Sequence, residues 1–170
     1  MEDADRSAGI KVDYGGIVVT DSLVTVTGVL HTVNGEKQIS ALSVVEGSGG
    51  SVPEPVGSTA CSVAETNGAT TRGLLAALWG RVTWVDELAG CFYIDDGRGY
   101  LDGTTHDAGG GDMQPNIGVR VQCDYVPYDV TVGKYVTVQK GCVGNYKAGD
   151  IVIPIVWVQS DWEIIVTSGQ

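Results

Sequence analysis

The sequence predicts an all-β protein with little or no helix. Val, Ile and Thr recur in short runs that alternate with polar residues, the period of half-buried strands. Glycine, at 25 of 170 residues, punctuates those runs as it does in sandwiches and barrels of short strands. No apolar pattern of helical period runs beyond about one turn.

Residues 1–7 are polar and read as a loop. Ala8–Tyr14 alternates around Ile10 and Val12 and reads as a short strand, ended by Gly15 and Gly16. Ser22–Leu30 is a second strand, with Val24 and Val26 on one face and Thr25 and Thr27 on the other. Asn34-Gly35 marks a hairpin turn, and Lys37–Val45 is the returning strand, with Ile39 and Ala41 on one face. Residues 46–72 lose all apolar periodicity and form a Gly/Ser/Pro-rich connector, extended around Pro53 and Pro55. Val52, Val56 and Val63 can dock it, and a helical turn fits near Ser62–Glu65.

Residues 73–99 are the stretch around which the chain is organised. Leu74–Val85 is a long strand in which Gly80 marks a bend or bulge. Cys91–Asp95 is the next strand, followed by a turn through Asp96, Gly97 and Gly99. Residues 100–116 read as a long acidic Gly-rich loop. Ile117–Cys123 and Lys134–Gln139 are further strands, Gly144–Asp150 is a turn, Ile151–Val158 is a strand, and Asp161–Thr167 is the last. Pro154 assigns an edge or a bulge to its strand.

Composition excludes more than it includes. The net charge of −11 repels a polyanion, and no basic run or basic-aromatic stripe offsets it, which argues against nucleic acid. No apolar run of about 18 residues exists to span a membrane as a helix, and no leader pattern opens the chain. Cys61, Cys91, Cys123 and Cys142 are too widely spaced for a zinc site. They stand as disulfide candidates, with three pairings open, or as buried free thiols.

The chain repeats itself. Gly9-Ile-Lys-Val matches Gly118-Val-Arg-Val, and Leu23-Val-Thr-Val-Thr-Gly matches Tyr135-Val-Thr-Val-Gln-Lys-Gly. Gly35-Glu-Lys-Gln-Ile-Ser-Ala-Leu-Ser-Val matches Gly149-Asp-Ile-Val-Ile-Pro-Ile-Val-Trp-Val, and Asp5-Arg6 stands where Asp96-Gly-Arg98 does. Order is kept while the offset drifts only from 109 to 114 residues. The first copy has no counterpart of Leu74–Tyr93, so its barrel has open strand edges that invite another chain.

A Gly-bent strand, then Phe92-Tyr-Ile-Asp-Asp-Gly-Arg-Gly, Gly118-Val-Arg-Val, Val132-Gly-Lys-Tyr-Val-Thr-Val and an Ile-rich strand resembles the OB-fold. The chain is similar to tandem OB-like repeats in predicted secreted bacterial proteins of unknown function. The resemblance implies two OB-like barrels in tandem: a partial repeat over 1–45, the connector 46–72, and a complete barrel over 73–170. It also implies an extracellular or cell-surface protein. The segment Asp124–Thr131 is too short and Pro-broken for the usual OB helix, and the stacking aromatics among Lys and Arg of nucleic-acid binders are missing.

Catalysis finds no support: His31 and His106 are the only histidines, and no nucleophile, metalloprotease or phosphate-loop motif occurs. Asp95, Asp96, Asp102, Asp107 and Asp112 form either a calcium loop or, the simpler reading, hairpin turns and solvated surface. Trp79, Trp84, Trp157 and Trp162 form either a sugar platform or packing residues, with packing preferred. The expectation is a non-catalytic structural subunit, assembling head-to-tail into a filament by β-strand complementation. Its subunit interface comprises Met1, Ile10, Val12, Trp162, Ile164, Ile165 and Val166. The alternative is a monomeric binding module for carbohydrate or protein.

Overall fold

A computed structural model describes residues 1–3, 8–19, 22–65 and 71–167. The Asp5-Arg6 pair, residues 66–70 of the connector and the tail after Thr167 lie outside the described residues. The fold is almost entirely β.

Three strands form the N-terminal sheet: β1 (Lys11–Asp13), β2 (Val24–Val33) and β3 (Glu36–Glu46). The order is β1-β3-β2, with β1 parallel to β3 and β2 antiparallel to it. Asn34 (φ 51°) and Gly35 (φ 74°) both take left-handed backbone, the two-residue turn that matches the twist of its strands. Burial of β2 alternates as its Val/Thr pattern predicts, with Val24 and Val26 turned in and Thr25 and Thr27 out.

The connector is more ordered than its composition suggests. β4 (Val56–Gly57) lies parallel to the start of the long strand at Ala76–Ala77. A single helical turn, α1 (Ala60–Val63), follows. Thr59 caps it by accepting the Ser62 N–H, and the Asp96 carboxylate accepts the Ala60 N–H at 3.1 Å. Ala60 and Val63 then enter the barrel core.

Five strands close that barrel: β5 (Leu75–Asp86), β6 (Cys91–Asp95), β9 (Val119–Gln122), β10 (Tyr135–Ala148) and β11 (Ile151–Trp157). Around the barrel the order is β5-β6-β9-β11-β10 and back to β5, with β9 and β11 parallel. β5 serves two neighbours because it is long: its first half pairs with β10 and its second half with β6. The register slips between Val82 and Trp84, so the expected irregularity falls just beyond Gly80. β12 (Ile164–Thr167), entered through a 3-10 turn (Asp161–Glu163), pairs with the N-terminal half of β10. Phe92, Ile94, Val119, Val121, Val136, Val138, Val143 and Val156 fill the interior.

Two expectations are corrected. Residues 100–116 are not a loop but a hairpin, β7 (Leu101–Asp107) and β8 (Met113–Ile117), which forms a two-stranded sheet of its own. Gly118 (φ 100°) ends β8 where a side chain would strike the Ile94 carbonyl, and the chain restarts as β9. Gly144 does not begin a turn: β10 runs on to Ala148, and Gly149–Asp150 make the reversal. Pro154 lies on the part of β11 that has β10 on one side, before the pairing with β9 begins at Ile155.

Candidate functional site

β1-β3-β2 has the same order and strand directions as β9-β11-β10 in the barrel. In the barrel, β6 covers the outer edge of β9 and β5 that of β10. At the corresponding edges of β1 and β2, no described strand pairs. The N-terminal sheet thus repeats three of the barrel's five strands, a half-barrel by that comparison, and ahead of β1 Met1–Asp3 pairs with Ala8–Ile10.

Its inner face is an apolar groove of about 520 Å³. Val12 from β1, Val24 and Val26 from β2, and Val44 from β3 line it, because each stands on the alternation that points inward. Val18, Val52, Pro53 and Leu75 border it, the last supplied by the barrel. Among the described residues before Ala60, no apolar side chain is fully buried. On the outer face Val29 and Val45 stand exposed among Thr25, Thr27, Ser40 and Ser43, and Leu42, 78% exposed, sits at the bulge. A sheet with one apolar face normally buries it; here that face is only half-buried.

The half-barrel is fixed on the barrel at two places. The Asn145 amide donates to the Asn34 carbonyl at 2.7 Å, and the Asn145 N–H donates to Glu36 at 3.1 Å. The Glu2 carboxylate accepts the Leu75 N–H at 2.8 Å, while the Met1 ammonium donates to the Ile10 carbonyl. The open edges are thus held in place rather than hanging from a linker.

The residues expected at a subunit interface divide. Met1 and Val12 line the groove, and Ile10 is half-buried beside it. Ile164 and Val166 instead pack into the barrel of their own chain, because β12 pairs there with β10. Ile165 and Trp162 face solvent.

The five aspartates do not converge. Asp95 accepts the Gly99 N–H, Asp96 accepts those of Ala60 and Arg98, and Asp107 accepts those of Gly109 and Gly111. Asp112 holds Gln114, and the buried Asp102 accepts from Tyr93 and Thr104. Among the described residues no three His, Cys, Asp or Glu side chains stand close enough to share a metal ion.

The tryptophans do not form one platform either. Trp84 stacks on His106 at 4.7 Å, and Trp79 leans on Tyr135. Trp162 lies apart, on a hollow it shares with Tyr125 and Tyr128. Cys91, Cys123 and Cys142 carry free thiols. Burial pushes all three above the ordinary thiol range, Cys123 up to about 12, which favours the protonated thiol.

Known proteins offer no parallel: no family model matches the chain, and neither a curated protein nor a solved structure matches it. The site rests on its own geometry. Sequence comparison between the two copies pointed to the vacancy. It missed Asn145, Glu36 and Glu2 as anchors, because polar residues in strands carry no signal of a partner in the other half of the chain.

Proposed function

We propose that the protein is a non-catalytic structural subunit that self-assembles head-to-tail, a neighbouring copy supplying the strands its N-terminal half-barrel lacks. The observation that carries this is the Val-lined groove, with no described strand on the outer edge of β2 and none along β1 beyond the pairing of Met1–Asp3 with Ala8–Ile10. Covering Val12, Val24, Val26 and Val44, each already half-buried, would stabilise the assembly by part of the roughly 1.5–3 kcal/mol that full burial of an exposed side chain gives. Main-chain bonds along the β1 and β2 edges would add register. A contact that joins the N-terminal sheet of one copy to a different surface of the next does not close on itself, so it propagates into a filament. The closed five-stranded barrel supports the OB-like reading of residues 73–170. An extracellular or cell-surface location follows from the family resemblance alone.

Electron microscopy of the purified chain, with sedimentation velocity over a concentration series, tests this. Filaments or a concentration-dependent ladder of oligomers are expected. Val26→Asp, which places a carboxylate in the groove, should abolish both. A wild-type chain that stays monomeric throughout removes the proposal.

One observation favours a second reading, a binding module for carbohydrate. Tyr128 (95% exposed), Trp162 (78%) and Tyr125 (61%) surround one hollow of about 350 Å³. The Tyr125 hydroxyl donates to Asp161 at 2.7 Å, which holds one ring in place. Retention on a glycan array that is lost in Trp162→Ala would support that role.

A further inference from the structure

The β7–β8 hairpin wears its amphipathicity inside out. The face it turns to its own barrel is polar. Tyr93 donates to Asp102 at 2.9 Å, Thr104 donates to Asp102 at 2.6 Å, Asn116 donates to Thr104 at 2.7 Å, and His106 Nδ1 donates to Asn116 at 2.7 Å. The face it turns to solvent is mostly apolar, with Leu101 paired with Ile117, Thr105 paired with Pro115, and Met113 paired with Asp107. Leu101 is 55% and Met113 56% exposed. The hairpin is a separate two-stranded sheet, outside the ladder of the barrel. A hairpin that only decorated the barrel would gain by the opposite arrangement, apolar side in.

We infer that the donor is this arm: the apolar face of the β7–β8 hairpin of one copy covers the groove of the next. The inference rests on the assembly reading above and names its second surface. Three features fit. The half-barrel lacks two strands, and the arm is two strands wide. The groove is lined with valine, and the arm presents Leu101, Met113, Pro115 and Ile117. On its exposed side the arm carries Asp107 and Asp112 and no Lys or Arg, while Lys140 and the Met1 ammonium line the groove beside Glu2. The arm stays attached to its own barrel through its polar face, so no strand has to leave its fold to form the contact.

The test uses the full chain with two kinds of variant. Met113→Asp and, separately, Thr105→Asp place a charge on the outer face of the arm, where both side chains already meet solvent. Val26→Asp and, separately, Val44→Asp place one in the groove. Each variant should raise the concentration needed for assembly by about tenfold or more. An equimolar mixture of an arm variant with a groove variant should give a discrete dimer by sedimentation velocity, since one intact arm meets one intact groove and growth stops there. Arm variants that polymerise like the wild type, or a mixture that stays monomeric, overturn the arm as donor while leaving the assembly proposal standing. A monomeric wild type overturns both.

Discussion

Gly9 and Gly73 cross with their backbones in contact: a Cβ on Gly9 would lie 2.1 Å from the Gly73 carbonyl oxygen, and one on Gly73 would lie 2.3 Å from the Gly9 carbonyl carbon. Main chain cannot give way as a side chain can. Gly73 also has φ 78°, a conformation L side chains rarely adopt. This crossing is where the half-barrel and the barrel meet, next to the Glu2 contact with Leu75. Gly9→Ala should push the two apart at a cost of about 1–3 kcal/mol. Limited proteolysis should then cut the N-terminal segment faster, with the barrel still protected. Unchanged cleavage rates in Gly9→Ala would show that the crossing does not hold the halves together.

Asn145 and Glu36 form the second fastening, and their bonds belong to one network. Each of Asn145→Ala and Glu36→Ala should cost about 0.5–1.5 kcal/mol. Asn145→Ala removes the amide bond to the Asn34 carbonyl and keeps the backbone N–H on Glu36. Both bonds hold the same turn, so once one has released it the second should cost less, and the double variant should fall short of the sum. A double-mutant cycle in urea measures it. Strict additivity would mean that the two bonds hold the turn independently, and no loss in either single variant would mean that the turn is not fastened there.

Legibility followed composition. Cys91–Asp95 could be read to the residue because Phe92, Tyr93 and Ile94 are strand formers between turn residues. The β7–β8 hairpin was hidden because Asp102, Gly103, Asp107, Gly109, Gly110, Gly111 and Pro115 are the vocabulary of loops. Only the pairing reveals that these residues hold two strands whose polar side is buried. β10 was cut short in the sequence reading because Gly141 and Gly144 look like breakers. Gly141 is instead required by packing: a Cβ there would sit 2.3 Å from a Val156 methyl. The groove was legible as a gap in the repeat. Its anchoring to the barrel was not, since that depends on contacts between residues 73 to 111 apart in the chain.

Tyr93 is the pivot of the polar network beneath the arm. It is fully buried, and its hydroxyl reaches both Asp102 and Thr104. Burial raises its phenol pKa well above the ordinary value, so it remains a donor at any physiological pH. Tyr93→Phe keeps the ring and leaves Asp102 one donor short in a buried site. The expected loss is about 1–3 kcal/mol in urea unfolding. The arm should loosen first, seen as faster amide exchange in Leu101–Ile117 than in Val119–Gln122. Uniform exchange changes across both would show that the arm and barrel respond as one unit.

The buried thiols make stability fall at alkaline pH. Cys123 rises from 9.0 to about 12 because burial penalises the thiolate, with Cys91 and Asp124 adding to it, and Cys91 and Cys142 move the same way. The folded chain therefore keeps these protons when the unfolded chain has lost them. Below pH 9, both states hold them and the stabilisation is complete. Between about 9 and 12 the unfolded state releases its protons first, and the balance shifts toward it with each unit. Urea midpoints should thus be flat from pH 7 to 8.5 and decline above 9. Cys123→Ala should shrink the decline, at the cost of a small cavity. The same burial predicts slow reaction of Cys91 and Cys123 with a thiol reagent at pH 8 until urea unfolds the chain. Rapid labelling of Cys123 in the native protein would contradict the closed barrel interior around it, and rapid labelling of Cys91 would contradict the burial of its side of β6.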